Sequence, residues 1–162
     1  MSTDRIEKKI LLRVPRSRVW RALTDSAEFG HWFGVRFEGP FQPGTPISGI
    51  MVPTAVDAEA AKSQKPFEGK PFEFVIDRIE PERLFSFKWH PFGVEEGIDY
   101  SAEPMTLIEF VLEERGAETM LTITESGFEQ IPLYRRARAF QANEGGWTGV
   151  LRRIAKHLGH AS

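Results

Sequence analysis

The sequence contains no cysteine among its 162 residues. Disulfide bonds, thiolate metal sites and cysteine nucleophiles are therefore all excluded. Neither sign of charge dominates, because 21 lysines and arginines accompany 23 aspartates and glutamates, for a formal net charge of −2. A protein that binds mainly nucleic acid would carry a basic excess, so we expect no nucleic-acid partner.

Long apolar runs are also missing. No stretch approaches the roughly 20 apolar residues that a membrane-spanning helix needs. The first ten residues, MSTDRIEKKI, are charged and contain no apolar signal region. We therefore expect a cytoplasmic protein with no membrane span. The length suits a single domain over residues 1–162 with one sizeable core.

The motifs of several common chemistries are absent as well. Of the four histidines, only His157 and His160 lie close together in sequence, near the C-terminus, and no carboxylate-rich ligand pattern accompanies them. The sequence has no G-x-S-x-G motif for a serine nucleophile. The stretch EGPFQPGTP (38–46) has no lysine and too much proline for a phosphate-binding loop. We therefore expect no metal and no other cofactor, and we find no complete catalytic constellation.

Alternation of apolar and polar side chains predicts a sheet. Residues 5–14 show this alternation and indicate a half-buried first strand, and glycine- and proline-rich strand signals occupy 35–53. Four more strands are predicted, at 70–80, 83–90, 104–115 and 118–126. The links between them are short, which favours antiparallel neighbours.

Two short helices are predicted after the first strand. Pro15 is a favourable first residue for a helix, and apolar residues follow it at helical spacing. Capping residues precede a second helix from Ser26 to about Phe33. The polar, alanine-rich segment 54–69 is either a loop or one short helix, and we predict that it is less ordered than the strands beside it.

A long C-terminal helix is predicted from about residue 130 to 159. Helical projection gives it one apolar stripe, interrupted by a carboxylate: Leu133, Ala137, Phe140, Glu144, Trp147, Leu151, Ile154 and Leu158. The basic residues are predicted on the opposite side: Arg135, Arg138, Arg152, Arg153 and Lys156. A strand, two helices, an antiparallel sheet and a long terminal helix indicate an α+β fold.

Three glycines, Gly145, Gly146 and Gly149, fall within this helix. Each costs a helix interior about 0.5–1 kcal/mol relative to alanine. Glycine pairs are known kink points, so we predict a bend near Gly145 and Gly146 that lets a curved sheet hold the helix.

Several stretches together resemble a known family. They are VPRSRVWRALTD (14–25), HWFG (31–34), TESGF (124–128), IPLYRRARAF (131–140) and NEGGWTGVLRRIAKHL (143–158). In them the sequence resembles the bacterial relatives of the activator of the 90-kDa heat-shock chaperone's ATPase, which belong to the START-related helix-grip superfamily together with aromatic polyketide cyclases. The resemblance implies a curved antiparallel sheet of six or seven strands wrapped around the C-terminal helix, with an apolar cavity between them.

The resemblance places aromatic residues from separate elements at this cavity: Trp32, Trp89, Phe128, Phe140 and Trp147. Simple core packing is the alternative role for each of them, because large aromatic side chains are common core residues. A binding pocket combines apolar walls with a few placed polar groups. The polar candidates here are His90, Glu125, Tyr134 and Glu144.

The two glutamates are the most informative of these. Glu125 continues the inward-facing alternation of Leu121 and Ile123. Glu144 interrupts the apolar stripe, and burying an unpaired carboxylate costs several kcal/mol. We predict that Glu144 lines the cavity and contacts Glu125, Arg136 or water; exposure of either glutamate at an open cavity mouth is the alternative.

Three functions are consistent with the sequence. The favoured one is a protein that binds a hydrophobic or aromatic small molecule in the cavity. The second is an enzyme of the cyclase or dehydratase type, in which Glu125, Glu144 or His90 moves protons. The third is a protein-interaction module, either associated with a chaperone or forming a homodimer.

Overall fold

The computed structural model describes residues 5–90 and 103–159. Within them the elements follow one another in the order β1 (Arg5–Leu12), α1 (Arg16–Thr24), α2 (Ser26–Phe33), β2 (Val35–Phe37), β3 (Pro46–Met51), α3 (Ala58–Gln64), β4 (Pro71–Glu80), β5 (Leu84–Trp89), β6 (Thr106–Arg115), β7 (Glu118–Ser126) and α4 (Leu133–His157). Short 3-10 turns at Lys65–Phe67 and Phe128–Gln130 precede β4 and α4.

The seven strands form one curved sheet in the order β1-β7-β6-β5-β4-β3-β2. Every neighbouring pair is antiparallel. The α+β helix-grip fold is thereby confirmed, and the last four strands agree with their predicted bounds within two residues. The segment 54–69 contains the short helix α3, which was one of its two predicted forms, and its lower order stays a prediction. None of the helices in the described ranges is long and apolar enough to cross a membrane.

Local chemistry fixes both ends of α2. The Asp25 carboxylate accepts hydrogen bonds from the backbone N–H groups of Ala27 and Glu28, at 2.9 and 3.2 Å, and so caps the N-terminus. Gly34 ends the helix with φ of 102°, in the left-handed region that glycine adopts without a steric penalty. This sharp end places Phe33 and Val35 on either side of the turn into β2.

Aromatic side chains dominate the core between the sheet and helices α2 and α4. Phe29 lies at its centre and contacts rings from the helix and from four strands: Trp32, Phe37, Phe74, Phe85, Phe87 and Phe110. The strand members point inward because they alternate with outward-facing residues, as the sequence predicted. These rings belong to the buried hydrophobic core of the protein.

Helix α4 is one continuous helix, but its buried face differs from the predicted stripe. Burial is confirmed for Trp147, Leu151 and Ile154. In the N-terminal half of the stripe the prediction is wrong for Leu133, which is 80% exposed, and for Ala137, since both face solvent, whereas Phe140 packs against the core. The residues buried there instead are Arg135 and Ala139. The bend near Gly145 and Gly146 stays a prediction.

Candidate functional site

A cavity of about 450 Å³ lies between the middle of α4, the end of α2 and strands β2 to β5. We call it the α4 cavity. Its apolar wall consists of Phe33, Val35, Phe72, Trp89, Trp147 and Val150. This volume falls within the roughly 300–1,000 Å³ that is typical of small-molecule sites.

Two tryptophans form one flat side of the α4 cavity. Trp89 comes from the last position of β5 and Trp147 from the middle of α4. Their rings are stacked, with centroids 5.5 Å apart and planes inclined by 25°. Trp147 is 2% exposed and Trp89 is half-buried, so Trp89 has the larger accessible surface of the two. Such a surface suits the face of a planar apolar molecule.

A buried carboxylate holds both tryptophans from behind. Glu125, on β7, is 0% exposed. One of its oxygens, Oε1, accepts hydrogen bonds from Trp147 Nε1 at 2.7 Å and Asn143 Nδ2 at 2.9 Å. The other, Oε2, accepts from Trp89 Nε1 at 2.8 Å, Thr106 Oγ1 at 2.5 Å and Asn143 Nδ2 at 3.0 Å.

This network explains how a buried carboxylate is tolerated. An indole N–H can only donate, so both Glu125 oxygens must serve as acceptors. Four neutral donors then compensate for the water that Glu125 lost on burial, although no cation pairs with it among the described residues. These hydrogen bonds restrict the side chains of Trp89, Trp147 and Asn143, which all line the cavity.

A cation also faces the α4 cavity. Arg153 lies on α4 one turn after Val150, and its Nε donates to the backbone oxygen of Trp32 at 2.8 Å. Burial lowers the pKa of Arg153 from its ordinary value, although the charge of Asp57 opposes this effect. Arginine remains charged at neutral pH because its ordinary pKa is so high.

Other polar groups at the cavity are already engaged. Gln64, the last residue of α3, donates from Nε2 to the Phe33 backbone oxygen at 3.0 Å and accepts from the Thr54 backbone N–H at 2.8 Å. The ring nitrogen Nε2 of His90 lies 3.1 Å from the backbone oxygen of Glu103. These contacts fix the edges of the cavity.

Helix α3 is tied to α4 by one buried carboxylate. Asp57 caps α3 by accepting from the backbone N–H groups of Glu59 and Ala60, and its Oδ2 accepts from Arg152 and Lys156 at 3.1 and 3.2 Å. The Ala60 hydrogen bond, with Lys156 and Arg152, outweighs burial and lowers the pKa of Asp57 to about 2. The carboxylate is therefore ionised throughout the physiological range, and it holds α3 beside the cavity.

A second polar cluster joins α2 to the end of α4. The Glu28 carboxylate lies 2.8 Å from His157 Nε2 and 2.7 Å from Arg18 Nη1, and His157 Nδ1 lies 3.1 Å from His31 Nδ1. Partial burial raises the pKa of Glu28, but the hydrogen bonds from His157 and Arg18 outweigh it and lower the pKa. In 5–90 and 103–159, no group of three or more histidines and carboxylates is arranged to hold a metal ion. His160 lies outside the described residues.

The predicted site residues divide into four sets. Trp89, His90 and Trp147 line the α4 cavity. Glu125 lies behind this lining, fully buried. The prediction that Glu144 lines the cavity is wrong, because Glu144 is on the exposed side of α4 and contacts neither Glu125 nor Arg136.

The other three aromatic candidates lie in packed regions. Trp32 is 0% exposed within the core, and its Nε1 donates to the Ala22 backbone oxygen at 2.9 Å. Phe128 and Phe140 pack against each other with ring centroids 5.2 Å apart, outside the cavity lining. The polar candidate Tyr134 is 75% exposed, with its hydroxyl 3.2 Å from a Glu103 carboxylate oxygen.

Sequence reasoning missed a set of cavity residues on α4: Asn143, Gly146, Val150 and Arg153. They recur at spacings of three and four residues, which is the signal of one helix face. The prediction that Arg153 lies opposite the buried stripe is wrong. Gly146 lines the cavity, and a Cβ added there would meet no atom within 4 Å.

Solved structures from several bacteria share this fold. The protein encoded by BPP1335 from Bordetella parapertussis is 25% identical, with a TM-score of 0.68 over 99% of this chain and 78% of that one. CalU16 from Micromonospora echinospora is 20% identical, with a TM-score of 0.61 over 94% of this chain and 74% of that one. DynU16, from the dynemicin biosynthetic locus, is 22% identical, with a TM-score of 0.65; the match covers 96% of this chain but only 47% of DynU16.

Sequence comparisons define the family. No curated protein matches the chain significantly. The model of the family described as "Activator of Hsp90 ATPase homolog 1-like protein" matches residues 13–159, which include all elements from α1 to α4. The chain therefore belongs to the Activator of Hsp90 ATPase homolog 1-like family.

Proposed function

We propose that this protein binds a small molecule with a flat apolar or aromatic body in the α4 cavity. The observation that carries the proposal is the stacked pair Trp89 and Trp147, which Glu125 holds rigidly at the cavity wall. A wall that is fixed before the ligand arrives loses little side-chain entropy on binding. The helix-grip fold and the cavity volume also support a binding role.

The site supports binding more than proton transfer. Of the three residues considered for acid–base chemistry, only His90 lines the cavity. Both oxygens of Glu125 are occupied by hydrogen-bond donors, and Glu144 faces away. The chaperone-associated and homodimer alternatives stay predictions from the sequence.

The test uses N-phenyl-1-naphthylamine, an uncharged aromatic probe whose fluorescence rises in apolar surroundings. Gly146→Leu should block the cavity, because the new side chain begins in open space at its lining. Gly145→Leu is the matched control: a Cβ at Gly145 also meets no atom within 4 Å, but Gly145 does not line the cavity. Both changes replace a helix glycine by the same residue, so their effects on helix stability should be similar.

We expect saturable probe binding to the parent protein and to Gly145→Leu. Gly146→Leu should weaken binding by at least about tenfold, the equivalent of about 1.4 kcal/mol. Equal affinity of the two variants would place the probe elsewhere. A parent protein that binds neither this probe nor any member of a broad panel of lipids and aromatic compounds would contradict the proposal.

A further inference from the structure

The cation at the α4 cavity has no carboxylate partner among the described residues. Asp57, whose charge acts on Arg153, is engaged by Arg152 and Lys156. The carboxylate that lines the cavity, Glu73, is exposed and accepts a hydrogen bond from Ser48 Oγ at 3.1 Å. Arg153 thus adds to a mostly apolar pocket a positive charge that forms no salt bridge among the described residues.

The guanidinium is held in one orientation. Its Nε donates to the Trp32 backbone oxygen, which leaves the terminal nitrogens Nη1 and Nη2 for another acceptor. Its Nη1 lies beside Gly149, because a Cβ added there would be in van der Waals contact with it, at 3.4 Å. A guanidinium fixed in this way presents two parallel N–H donors, which match two oxygens of a carboxylate or a sulfonate.

Stability alone does not account for an arginine here. A half-buried charge loses hydration, and one hydrogen bond to a backbone oxygen replaces only part of it. An apolar side chain at position 153 would extend the wall formed by Trp147 and Val150 at lower cost. An anionic ligand group would pair with the charge and give the terminal nitrogens Nη1 and Nη2 acceptors.

We propose that the ligand of the α4 cavity is an aromatic or apolar acid, whose carboxylate or sulfonate group pairs with Arg153 while its flat body lies against Trp89 and Trp147. This inference rests on the proposed function and adds the chemical class of the ligand. It assigns Arg153 as the residue that selects acids over neutral molecules of the same shape.

Two probes with the same aromatic skeleton test the assignment. 8-Anilino-1-naphthalenesulfonate is N-phenyl-1-naphthylamine with one sulfonate added, so the ratio of their affinities isolates the anionic group. The key variant is Arg153→Gln, and its matched control is Arg36→Gln, which removes an exposed arginine of β2 that does not line the α4 cavity.

The parent and Arg36→Gln should prefer the sulfonate by about tenfold or more, because a hydrogen-bonded charge pair at a partly buried site contributes at least that much. Arg153→Gln should lose this preference while it still binds the uncharged probe. Retained binding of the uncharged probe shows in the same sample that the cavity is intact. Arg153→Lys, which keeps the charge but loses the two parallel N–H donors, should give an intermediate ratio of the two probe affinities.

The outcomes separate the two proposals. If Gly146→Leu blocks the uncharged probe but Arg153→Gln keeps the parent's affinity ratio, the ligand class is wrong and the binding function stands. If the parent binds neither probe, the binding function fails, and the ligand class fails with it. If Arg153→Gln does not fold, as judged by circular dichroism, the salt dependence of the parent protein is the test. Its preference for the sulfonate probe should fall as salt is added. A ratio of the two probe affinities that stays near one at every salt concentration overturns the assignment.

Discussion

Replacing Glu125 by glutamine tests most directly whether its hydrogen bonds hold Trp89 and Trp147 in place. The substitution keeps the shape of the side chain but exchanges one acceptor oxygen for an NH₂ group. Thr106 can adapt by rotating its hydroxyl to accept, and Asn143 can adapt by turning its amide. The indole N–H groups of Trp89 and Trp147 cannot, since they bond to opposite oxygens and only donate. One indole N–H is therefore left without an acceptor in either orientation of the new amide.

The magnitude follows from these contacts. A buried donor without a partner costs about 1–3 kcal/mol. The remaining bonds change from charge-assisted to neutral, and charge-assisted bonds are roughly twice as strong. We therefore expect Glu125→Gln to lower the free energy of unfolding by about 2–4 kcal/mol. Because it also releases one of the two tryptophans, it should weaken binding of N-phenyl-1-naphthylamine.

The assay is urea denaturation at pH 7, followed by far-ultraviolet circular dichroism so that altered tryptophan emission does not bias the result. Glu109→Gln is the matched control. Glu109 is half-buried on the outer face of the sheet, where it accepts a long hydrogen bond, 3.4 Å, from Thr124 and no other from the residues that the structure describes. The control should stay within about 0.5 kcal/mol of the parent. If the Glu125→Gln protein is as stable as this control, the hydrogen bonds of Glu125 do not hold Trp89 and Trp147 in place.

Three further predictions concern α4 and its neighbours. Trp147→Ala should cost about 3–5 kcal/mol of unfolding free energy in urea, because a large side chain that is 2% exposed is removed; a loss under about 1 kcal/mol would contradict its burial. Gly145→Ala and Gly146→Ala should each raise the free energy of unfolding in urea by about 0.5–1 kcal/mol, because neither added methyl group meets another atom. A decrease at either position would contradict the open space there. Asp57→Asn keeps a capping side chain but removes the charge. Since folding lowers the pKa of Asp57 from 3.8 to about 2, the wild-type advantage should be constant above pH 5 and shrink as the pH falls from about 4 to 2; a urea-midpoint difference that is independent of pH would contradict the ion pairs.

Most of the sheet could be predicted because strand signals are local. Alternation along β5, β6 and β7 determines which side chains point inward, and a register error of one residue would expose all of them. Glu125 was placed inward by the same alternation, although its partners were not foreseen. Those partners come from β5, β6 and α4, and no local pattern states which elements meet at a given carboxylate.

The rotation of α4 about its own axis could not be predicted from its local sequence. One turn of 3.6 residues before Trp147 falls between positions 143 and 144, so the projection alone permits either side chain to face the sheet. The choice depends on Glu125: Asn143 can donate to this carboxylate, whereas a glutamate in the same place would set two carboxylates against each other. With Asn143 turned inward, the same helix face continues through Gly146 and Val150 to Arg153. The carboxylate on β7 therefore sets the rotation of α4, and this rotation brings the arginine to the cavity.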